Sequence, residues 1–559
     1  MNYNAEYQKW CSSAVDEETI SELNNLDTSS IKDAFYRDLV FGTGGLRGII
    51  GVGTNRMNIY TVAKASQGLA SYLGVGSCVV IGYDSRIKSD IFAKTTAGVF
   101  AANGIDVWFW PELNPVPLVS YAVRKLKASA GVMITASHNP SDYNGYKVYG
   151  ADGCQITTEA ATDILACISK IDIFSDVNIL EFDDAVLSGK VKFIDNSLLD
   201  AYLLEVKGQS VLFGDEVDRD VAIVYSPLNG TGLKPVTRVL KDSGFTNITV
   251  VEEQREPNGS FPTCPCPNPE LKEAMSLGLE YCRKTGADLL LATDPDCDRC
   301  GIAVRDGDDY KLLSGNEVGL LILDYICNQR IKHNKMPDSP VFIKTIVTTD
   351  LAQRIASYYG VHTINVLTGF KFIGEQIGRL NDEKDYICGF EESYGYLTGS
   401  FVRDKDGVNA AFMICEMLAY YKIRGVTLLK KLEDIYKEFG YCLNTLNSYT
   451  FAGAVGAEKI ESIMTHFRNK LGTIAGDKII TTYDYINGIN GLPPSNVLKY
   501  VTKKCSVVIR PSGTEPKLKV YISITAKDLA EAEYTKRMII NELEEIICCN
   551  KTVFDKKDN

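Results

Sequence analysis

Three times along this chain an apolar, strand-like run gives way to a polar or glycine turn and then to a segment of helical periodicity. Val79 to Gly82 runs into Tyr83-Asp84-Ser85-Arg86 and the helical pattern Asp90 to Ala102. Val221 to Tyr225 runs into Ser226-Pro227-Leu228-Asn229-Gly230-Thr231-Gly232, and Val341 to Val347 into Thr348-Thr349-Asp350 and the helical stretch Leu351 to Tyr359. Strands that alternate with helices pair in parallel and cover their faces with those helices. The expectation is therefore α/β domains with mostly parallel sheets, whose ligands sit at the carboxyl ends of the strands. The last part reads differently. Lys503 to Ile509 and Leu518 to Ile524 are strand-like around a polar turn and precede an amphipathic helix from Lys527 to about Ile547, which makes an α+β unit. Breaks near Gly208, Asn328 and Asn447 divide the 559 residues into 1–208, 209–328, 329–447 and 448–559, in keeping with roughly 150 residues per domain.

Charge and composition narrow the function. With 59 Lys and Arg against 71 Asp and Glu, the net charge is −12. Broad attraction to nucleic acid is thereby disfavoured, and an anionic ligand needs local basic contacts. No apolar run reaches the roughly 18 residues that span a bilayer. The polar start Met1-Asn2-Tyr3-Asn4-Ala5-Glu6 lacks the regions of a signal peptide, so a cytoplasmic protein without membrane attachment is expected. Sixteen cysteines in such a chain point to reduced thiols. Cys264, Cys266, Cys297 and Cys300 offer an alternative as four zinc thiolates. Aspartates interleaved with the second pair make the better case for a different metal.

Four loops carry chemistry. Thr135-Ala136-Ser137-His138-Asn139-Pro140 follows the apolar run Ala130 to Ile134 and places Ser137 just past a strand end. A lone hydroxyl is a weak nucleophile, so it needs a cation, a proton handler and anion-binding groups from elsewhere. Asp294-Pro295-Asp296-Cys297-Asp298-Arg299 supplies three aspartates at alternate positions, a hard oxygen set suited to Mg²⁺. Gly389-Phe390-Glu391-Glu392-Ser393-Tyr394-Gly395 pairs carboxylates and a hydroxyl between glycines, a set able to bond vicinal sugar hydroxyls. Arg510-Pro511-Ser512-Gly513-Thr514-Glu515-Pro516-Lys517-Leu518-Lys519 combines guanidinium, hydroxyls, glycine and lysines as a phosphate cradle without a Walker pattern. Two further cations come from Arg47, in the glycine loop Phe41 to Gly48, and Lys147, ten residues after Ser137.

Taken in order, these four loops resemble those of the α-D-phosphohexomutase superfamily, and most closely its phosphoglucomutase/phosphomannomutase subgroup of the phosphoglucomutase 2 and phosphopentomutase type. The resemblance spans about residues 40 to 525. It implies three similar mixed-sheet α/β domains and a C-terminal α+β domain around a central cleft. It also implies that Ser137 is a phosphoserine and that Asp294, Asp296 and Asp298 hold Mg²⁺ together with a phosphoserine oxygen. By the same resemblance Arg47 and Lys147 contact the phosphoryl group and move a proton, and His138 shapes the loop. Glu391 and Ser393 would read the sugar, with Arg299, Gly369 and Lys371 nearby, while Arg510, Ser512, Gly513, Thr514 and Lys519 would hold the phosphate that is not being transferred. Cys297 stands where the family usually has a small residue.

The implied reaction interconverts glucose 1-phosphate and glucose 6-phosphate through phosphoserine and a bound sugar 1,6-bisphosphate. The substrate is a phosphorylated sugar, with mannose, ribose and deoxyribose phosphates as alternatives to glucose. A metal-dependent phosphatase with a serine nucleophile and a non-catalytic sugar-phosphate sensor are the rival readings. The chain has only four histidines, where multi-metal phosphatases usually recruit several. No motif specifies an oligomeric state.

Overall fold

The apolar runs of the three recurring units are central strands of three separate sheets in the computed structural model, which describes residues 2–42, 44–451, 454–489, 491–512 and 517–549. The first sheet uses β1 (Gly45–Ile49), β2 (Cys78–Tyr83), β3 (Asp106–Phe109), β4 (Ala130–Ile134), β5 (Tyr143–Gly150) and β6 (Val191–Phe193), in the order β1-β5-β4-β2-β3-β6. The second uses β7 (Ile223–Ser226), β8 (Ile248–Val250), β9 (Leu289–Thr293), β10 (Cys300–Asp306) and β11 (Asp309–Leu313), ordered β11-β10-β9-β7-β8. The third is β13-β12-β14-β15, from β12 (Val341–Thr345), β13 (His362–Val366), β14 (Tyr386–Phe390) and β15 (Tyr396–Thr398). All three are mixed, as the resemblance implies.

One construction repeats in each sheet and positions the site. A parallel strand at the heart of the sheet turns back on itself as an antiparallel hairpin, and the turn is a functional loop. β4 pairs in parallel with β2 and antiparallel with β5, enclosing the serine loop. β9 pairs in parallel with β7 and antiparallel with β10, enclosing the aspartate loop. β14 pairs in parallel with β12 and antiparallel with β15, enclosing the Glu391 loop. Each loop carries one non-glycine residue in the left-handed region, Ser137 at φ 53°, Cys297 at φ 53° and Tyr394 at φ 65°. A side chain there costs about 1–2 kcal/mol, so surrounding bonds must hold all three loops.

The fourth sheet orders β16 (Tyr441–Thr450), β19 (Thr481–Asp484), β20 (Leu498–Val501), β21 (Cys505–Pro511) and β22 (Lys517–Ala526) as β16-β22-β21-β20-β19, beside a two-stranded ribbon of β17 (Thr473–Ile474) and β18 (Asp477–Lys478). The helix Leu529–Cys549 covers it. Two expected breaks shift. Asn328 falls inside the helix Gly315–Lys332, which packs on β14 of the third sheet, and Asn447 falls inside β16, whose ten-residue pairing with β22 makes it part of the fourth. The break near Gly208 falls at the end of the helix Asn196–Lys207.

The first three domains share a continuous apolar core that runs from Val80 through Tyr202, Tyr225 and Leu321 to Ile435 and touches the fourth sheet at Cys442 on β16. The helix Gly407–Lys422 is buried along nearly its whole length within it. The fourth domain has its own core around Ile463, Val507 and Ile522. It meets the third through a small apolar pad of Ile346, Val347 and Leu367 against Tyr485, Val497, Val508 and Tyr521. Three domains thus form one block, and the fourth rests on it as a separate body.

Candidate active site

Arg86 grips the serine loop. The residue is 3% exposed, and its guanidinium donates to the backbone carbonyls of Ser137 at 2.6 Å, Pro140 at 2.7 Å and Tyr143 at 3.0 Å, and to that of Asn139. A rigid fork with five donors suits four carbonyls curled around one point. The buried Asp84 carboxylate balances it, 3.5 Å from Nε. Inside the loop, Ser137 N–H donates to Thr135 Oγ1 at 2.8 Å, and that hydroxyl donates to Asp296 Oδ2 at 3.1 Å. Arg47, on β1, donates from Nη1 to Asn139 Oδ1 at 3.0 Å.

The aspartate loop meets this turn directly. Ser137 Oγ donates to Asp294 Oδ2 at 2.8 Å and lies 3.0 Å from His138 Nδ1. Asp294, Asp296 and Asp298 are fully buried, with one oxygen of each within 4.8 Å of the others. Asp294 Oδ1 accepts the N–H groups of Asp298 at 3.1 Å and Arg299 at 3.0 Å. Lys147 Nζ donates to Asp296 Oδ2 at 2.8 Å and Asp298 Oδ2 at 3.1 Å, and Lys405 Nζ lies 2.7 Å from Asp298 Oδ2. The loop backbone is held by N–H groups from three domains: Val116 to the Asp296 carbonyl at 2.9 Å, Thr231 to Pro295 at 2.8 Å and Gly407 to Cys297 at 3.0 Å. A Cβ on Gly230 would lie 2.4 Å from Pro295 Cα, so glycine is required where the second domain crosses the loop. The Cys297 thiol points into the shared apolar core.

Charge at this point is divided unevenly. Burial and the neighbouring Asp296 and Asp298 push Asp294 well above the ordinary carboxylate range. Burial acts on Asp298 too, yet Lys147, Lys405 and Arg299 hold it below that range. Burial opposes charge on Lys147, but Asp296 and Asp298 keep it above the usual lysine value. Burial together with Arg299 and Arg47 holds His138 well below the usual histidine value, so its ring is neutral.

Asp296 Oδ1 and Asp298 Oδ1 are buried and accept no hydrogen bond among the described residues. Converging carboxylate oxygens left without donors are a donor set for a hard divalent cation, and the residues fit Mg²⁺. Among the described residues this is the only gathering of three or more His, Cys, Asp or Glu ligand groups. Cys264, Cys266, Cys297 and Cys300 do not assemble into a zinc site.

Across the cleft the Glu391 loop faces the fourth domain. Glu391 Oε1 accepts the Gly369 N–H at 3.0 Å, and Gly369 at φ 120° occupies backbone space closed to other residues. Burial and the adjacent Glu392 push the Glu391 carboxyl up to about 7, against the opposing pull of Lys405 and Arg299. Lys371, buried in the first turn of the helix Phe370–Arg379, is brought down to about 8 by burial. A cavity of about 420 Å³ is lined by His138, Arg299, Thr368, Ser393, Arg510 and Lys519, among others. Arg299 pairs there with Glu270. Arg510 and Lys519 lie opposite one another on β21 and β22, and the Ser512 N–H donates to the Lys517 carbonyl at 2.7 Å. Gly513 and Thr514 lie outside the described residues.

Ser137, Arg47, Lys147 and the three aspartates therefore converge from two loops and one sheet edge, while Arg299, Glu392, Ser393, Arg510 and Lys519 line the neighbouring cavity and Glu391 precedes Glu392 in the same loop. Arg86 and Lys405 join the site without having been singled out in the sequence. Arg86 stood in a turn after an apolar strand, a place that favours ligand contacts, and Lys405 lay between Asp404 and Asp406, a charged triplet that reads like a solvated loop.

Models of the phosphoglucomutase/phosphomannomutase family match the chain in order: alpha/beta/alpha domain I over residues 38–173, domain II over 200–307, domain III over 314–439 and the C-terminal domain over 464–541. The phosphoglucomutase of Staphylococcus saprophyticus is 36% identical over 556 residues, which covers 94% of this chain and 99% of that protein. That of Staphylococcus aureus is 37% identical over 517 residues, covering 89% and 91%. Among solved structures, Paramecium parafusin, a phosphoglucomutase in its open form, superposes with a TM-score of 0.68 at 18% identity, covering 92% of this chain and 96% of that one. A phosphoglucomutase/phosphomannomutase family protein of Burkholderia thailandensis gives the same TM-score and identity over 92% and 98%. The two structures speak to the fold, and the sequence matches carry the assignment: the chain belongs to the phosphoglucomutase/phosphomannomutase family and is an isomerase, a phosphosugar mutase.

Proposed function

We propose that this enzyme interconverts glucose 1-phosphate and glucose 6-phosphate, with Ser137 as the phosphoserine that both gives and receives the phosphoryl group. The observation that carries this reading is Ser137 Oγ on Asp294 Oδ2 at 2.8 Å, at the meeting point of two hairpin loops. The phosphorus–oxygen bond to Ser137 breaks as one to the 6-hydroxyl of glucose 1-phosphate forms, giving the 1,6-bisphosphate. The sugar turns within the cleft, its 1-phosphoryl group passes to Ser137, and glucose 6-phosphate leaves. In each half, the proton of the sugar hydroxyl ends on the serine oxygen or returns from it. Lys147, kept protonated by Asp296 and Asp298, would deliver and recover that proton. Arg47 would contact the moving group, Glu391 and Ser393 the sugar hydroxyls, and Arg299, Gly369 and Lys371 the sugar's surroundings. Arg510, Ser512, Gly513, Thr514 and Lys519 would hold whichever phosphate is idle.

Asp294, Asp296 and Asp298 would hold Mg²⁺ with a phosphoserine oxygen, and the bound ion neutralises charge on a transferring phosphoryl group. Thirty-six to thirty-seven per cent identity to the staphylococcal phosphoglucomutases supports glucose as the sugar. We place the enzyme in the cytoplasm, since all fourteen described cysteines carry free thiols. Among the described residues no helix is long and apolar enough to cross a membrane. Turnover on glucose, mannose and ribose 1-phosphates with added bisphosphate tests the assignment. Glucose 1-phosphate should give the highest kcat/KM; a ribose or mannose optimum would replace the substrate, and phosphate release without isomerisation would overturn the mutase reading.

A further inference from the structure

The joint between the third and fourth domains holds a charged node outside the catalytic cleft. Asp350, at the head of the helix Leu351–Tyr358, reaches across the joint. Its Oδ1 accepts from Lys499 Nζ on β20 at 3.0 Å, and its Oδ2 accepts from Ser506 Oγ on β21 at 2.7 Å. Lys499 also donates to the Ile346 carbonyl at 3.2 Å. Within the third domain, Asp350 Oδ1 lies 3.3 Å from Lys344 Nζ, a fully buried ammonium on β12. Lys344 in turn donates to the carbonyls of Thr345 at 3.3 Å and Thr348 at 2.9 Å. The hydroxyls of those two threonines lie 2.9 Å apart and each is 3.4 Å from Glu392 Oε2, so one donates to its neighbour and the other to the carboxylate. Glu392 lines the same cavity as Arg510.

An unbroken chain of polar contacts therefore runs from the strand that carries Arg510, through Asp350 and Lys344, to the loop that carries Glu391. The backbone crosses between the two domains once, at Gly440, whose φ of 89° ends the helix Leu428–Phe439. Beside the covalent link, the apolar pad and the Arg354 Nη2 to Thr525 Oγ1 bond at 3.2 Å, this node is the charged tie that bears on the relative placement of the two loops. Burial opposes ionisation of Asp350, yet Lys344 and Lys499 hold it below the ordinary carboxylate range; burial brings Lys344 down to about 8 despite Asp350. Asp350 keeps 38% of its side chain exposed beside a cavity of about 880 Å³, within reach of water.

We propose that Asp350 is a positioning residue that sets Arg510 and Lys519 of the fourth domain against the Glu391 loop and keeps the bisphosphate in the cleft while it turns. This rests on the mutase reading above. Asp350→Asn removes the charge that joins Lys344, Lys499 and Ser506. It is expected to raise both the KM for glucose 1-phosphate and the glucose 1,6-bisphosphate concentration for half-maximal activity about tenfold, the scale of one lost charge-assisted bond, with kcat at saturation changed less than about threefold. Free bisphosphate released per turnover should rise, a readout that general destabilisation does not move. Should Asp350→Asn lower Tm markedly, Ser506→Ala, which deletes one hydroxyl, is expected to show the same shifts at smaller size. Unchanged KM, activation and bisphosphate release in a folded variant overturn the role of Asp350, whereas absence of isomerisation by the unaltered enzyme overturns the mutase reading itself.

Discussion

Replacing Arg86 by lysine keeps the positive charge and discards the fork, which isolates the role of the guanidinium. Arg86 feeds four carbonyls of the serine loop, including that of Ser137 at 2.6 Å, and sits against buried Asp84. A lysine offers three donors from one atom, so one carbonyl loses its partner. An unmade buried hydrogen bond costs about 1–3 kcal/mol, and a poorer ion pair to Asp84 adds a cost of the same order. The hold on the loop then weakens by about 2–6 kcal/mol, as much as or more than the roughly 1–2 kcal/mol needed to keep Ser137 in its left-handed conformation. The loop relaxes and Ser137 Oγ moves away from Asp294. A shift on the order of 1 Å at the reacting atom corresponds to a loss of about 10²-fold in rate. Steady-state assay of glucose 1-phosphate isomerisation should show that loss in kcat, with KM within about threefold because the Arg510 side of the cleft is untouched. A folded Arg86→Lys enzyme with kcat within about threefold of the parent would refute this account of the loop.

Saturating Mg²⁺ should raise the Tm of the unaltered protein, since an ion bound only to the native state adds about 2.7 kcal/mol at a hundred times its Kd. Asp296→Asn should lose most of that rise, and an equal rise in the variant would place the ion elsewhere. For Glu391, whose carboxyl is pushed up to about 7 by burial and Glu392, the ionised form is the better acceptor for sugar hydroxyls. KM should therefore fall as pH rises from 6 to 8, and Glu391→Gln should flatten that profile. The raised value also makes ionisation a cost to folding, so this group's contribution to stability is full below the ordinary carboxylate value and is lost as pH climbs through about 7. A KM independent of pH in the unaltered enzyme would remove Glu391 from sugar binding.

The three recurring units were legible because β2, β7 and β12 are apolar runs fully inside their sheets, and a strand buried on both faces announces itself locally. Their return strands were not. Tyr143–Gly150 mixes glycine, tyrosine and lysine, and it becomes a strand only because β4 and β1 flank it. That is why Lys147, a plain surface lysine by composition, ends up inside the site. The helix Gly315–Lys332 closes in polar residues near Asn328, which resembles a linker although the helix continues. β16 is decided by a partner strand at Lys517–Ala526 that no local window contains. Arg86 had only its place in a turn after an apolar strand, and Lys405 no local mark, since a cation buried among acceptors and one in water are written with the same letter. The chemistry of the four loops was readable because each concentrates unusual residue types at one turn; the node at Asp350 spreads one carboxylate, two lysines and one serine over four segments and reads as nothing.

The central claim is that Ser137 carries the phosphoryl group between turnovers. Incubation with glucose 1,6-bisphosphate labelled with ³²P, followed by proteolysis and mass spectrometry, measures this directly. The label should appear on the peptide containing Ser137, transfer to the sugar on a chase with unlabelled glucose 1-phosphate, and be absent from Ser137→Ala. Label on another residue, label that leaves as inorganic phosphate without reaching sugar, or a Ser137→Ala enzyme that isomerises normally would contradict it.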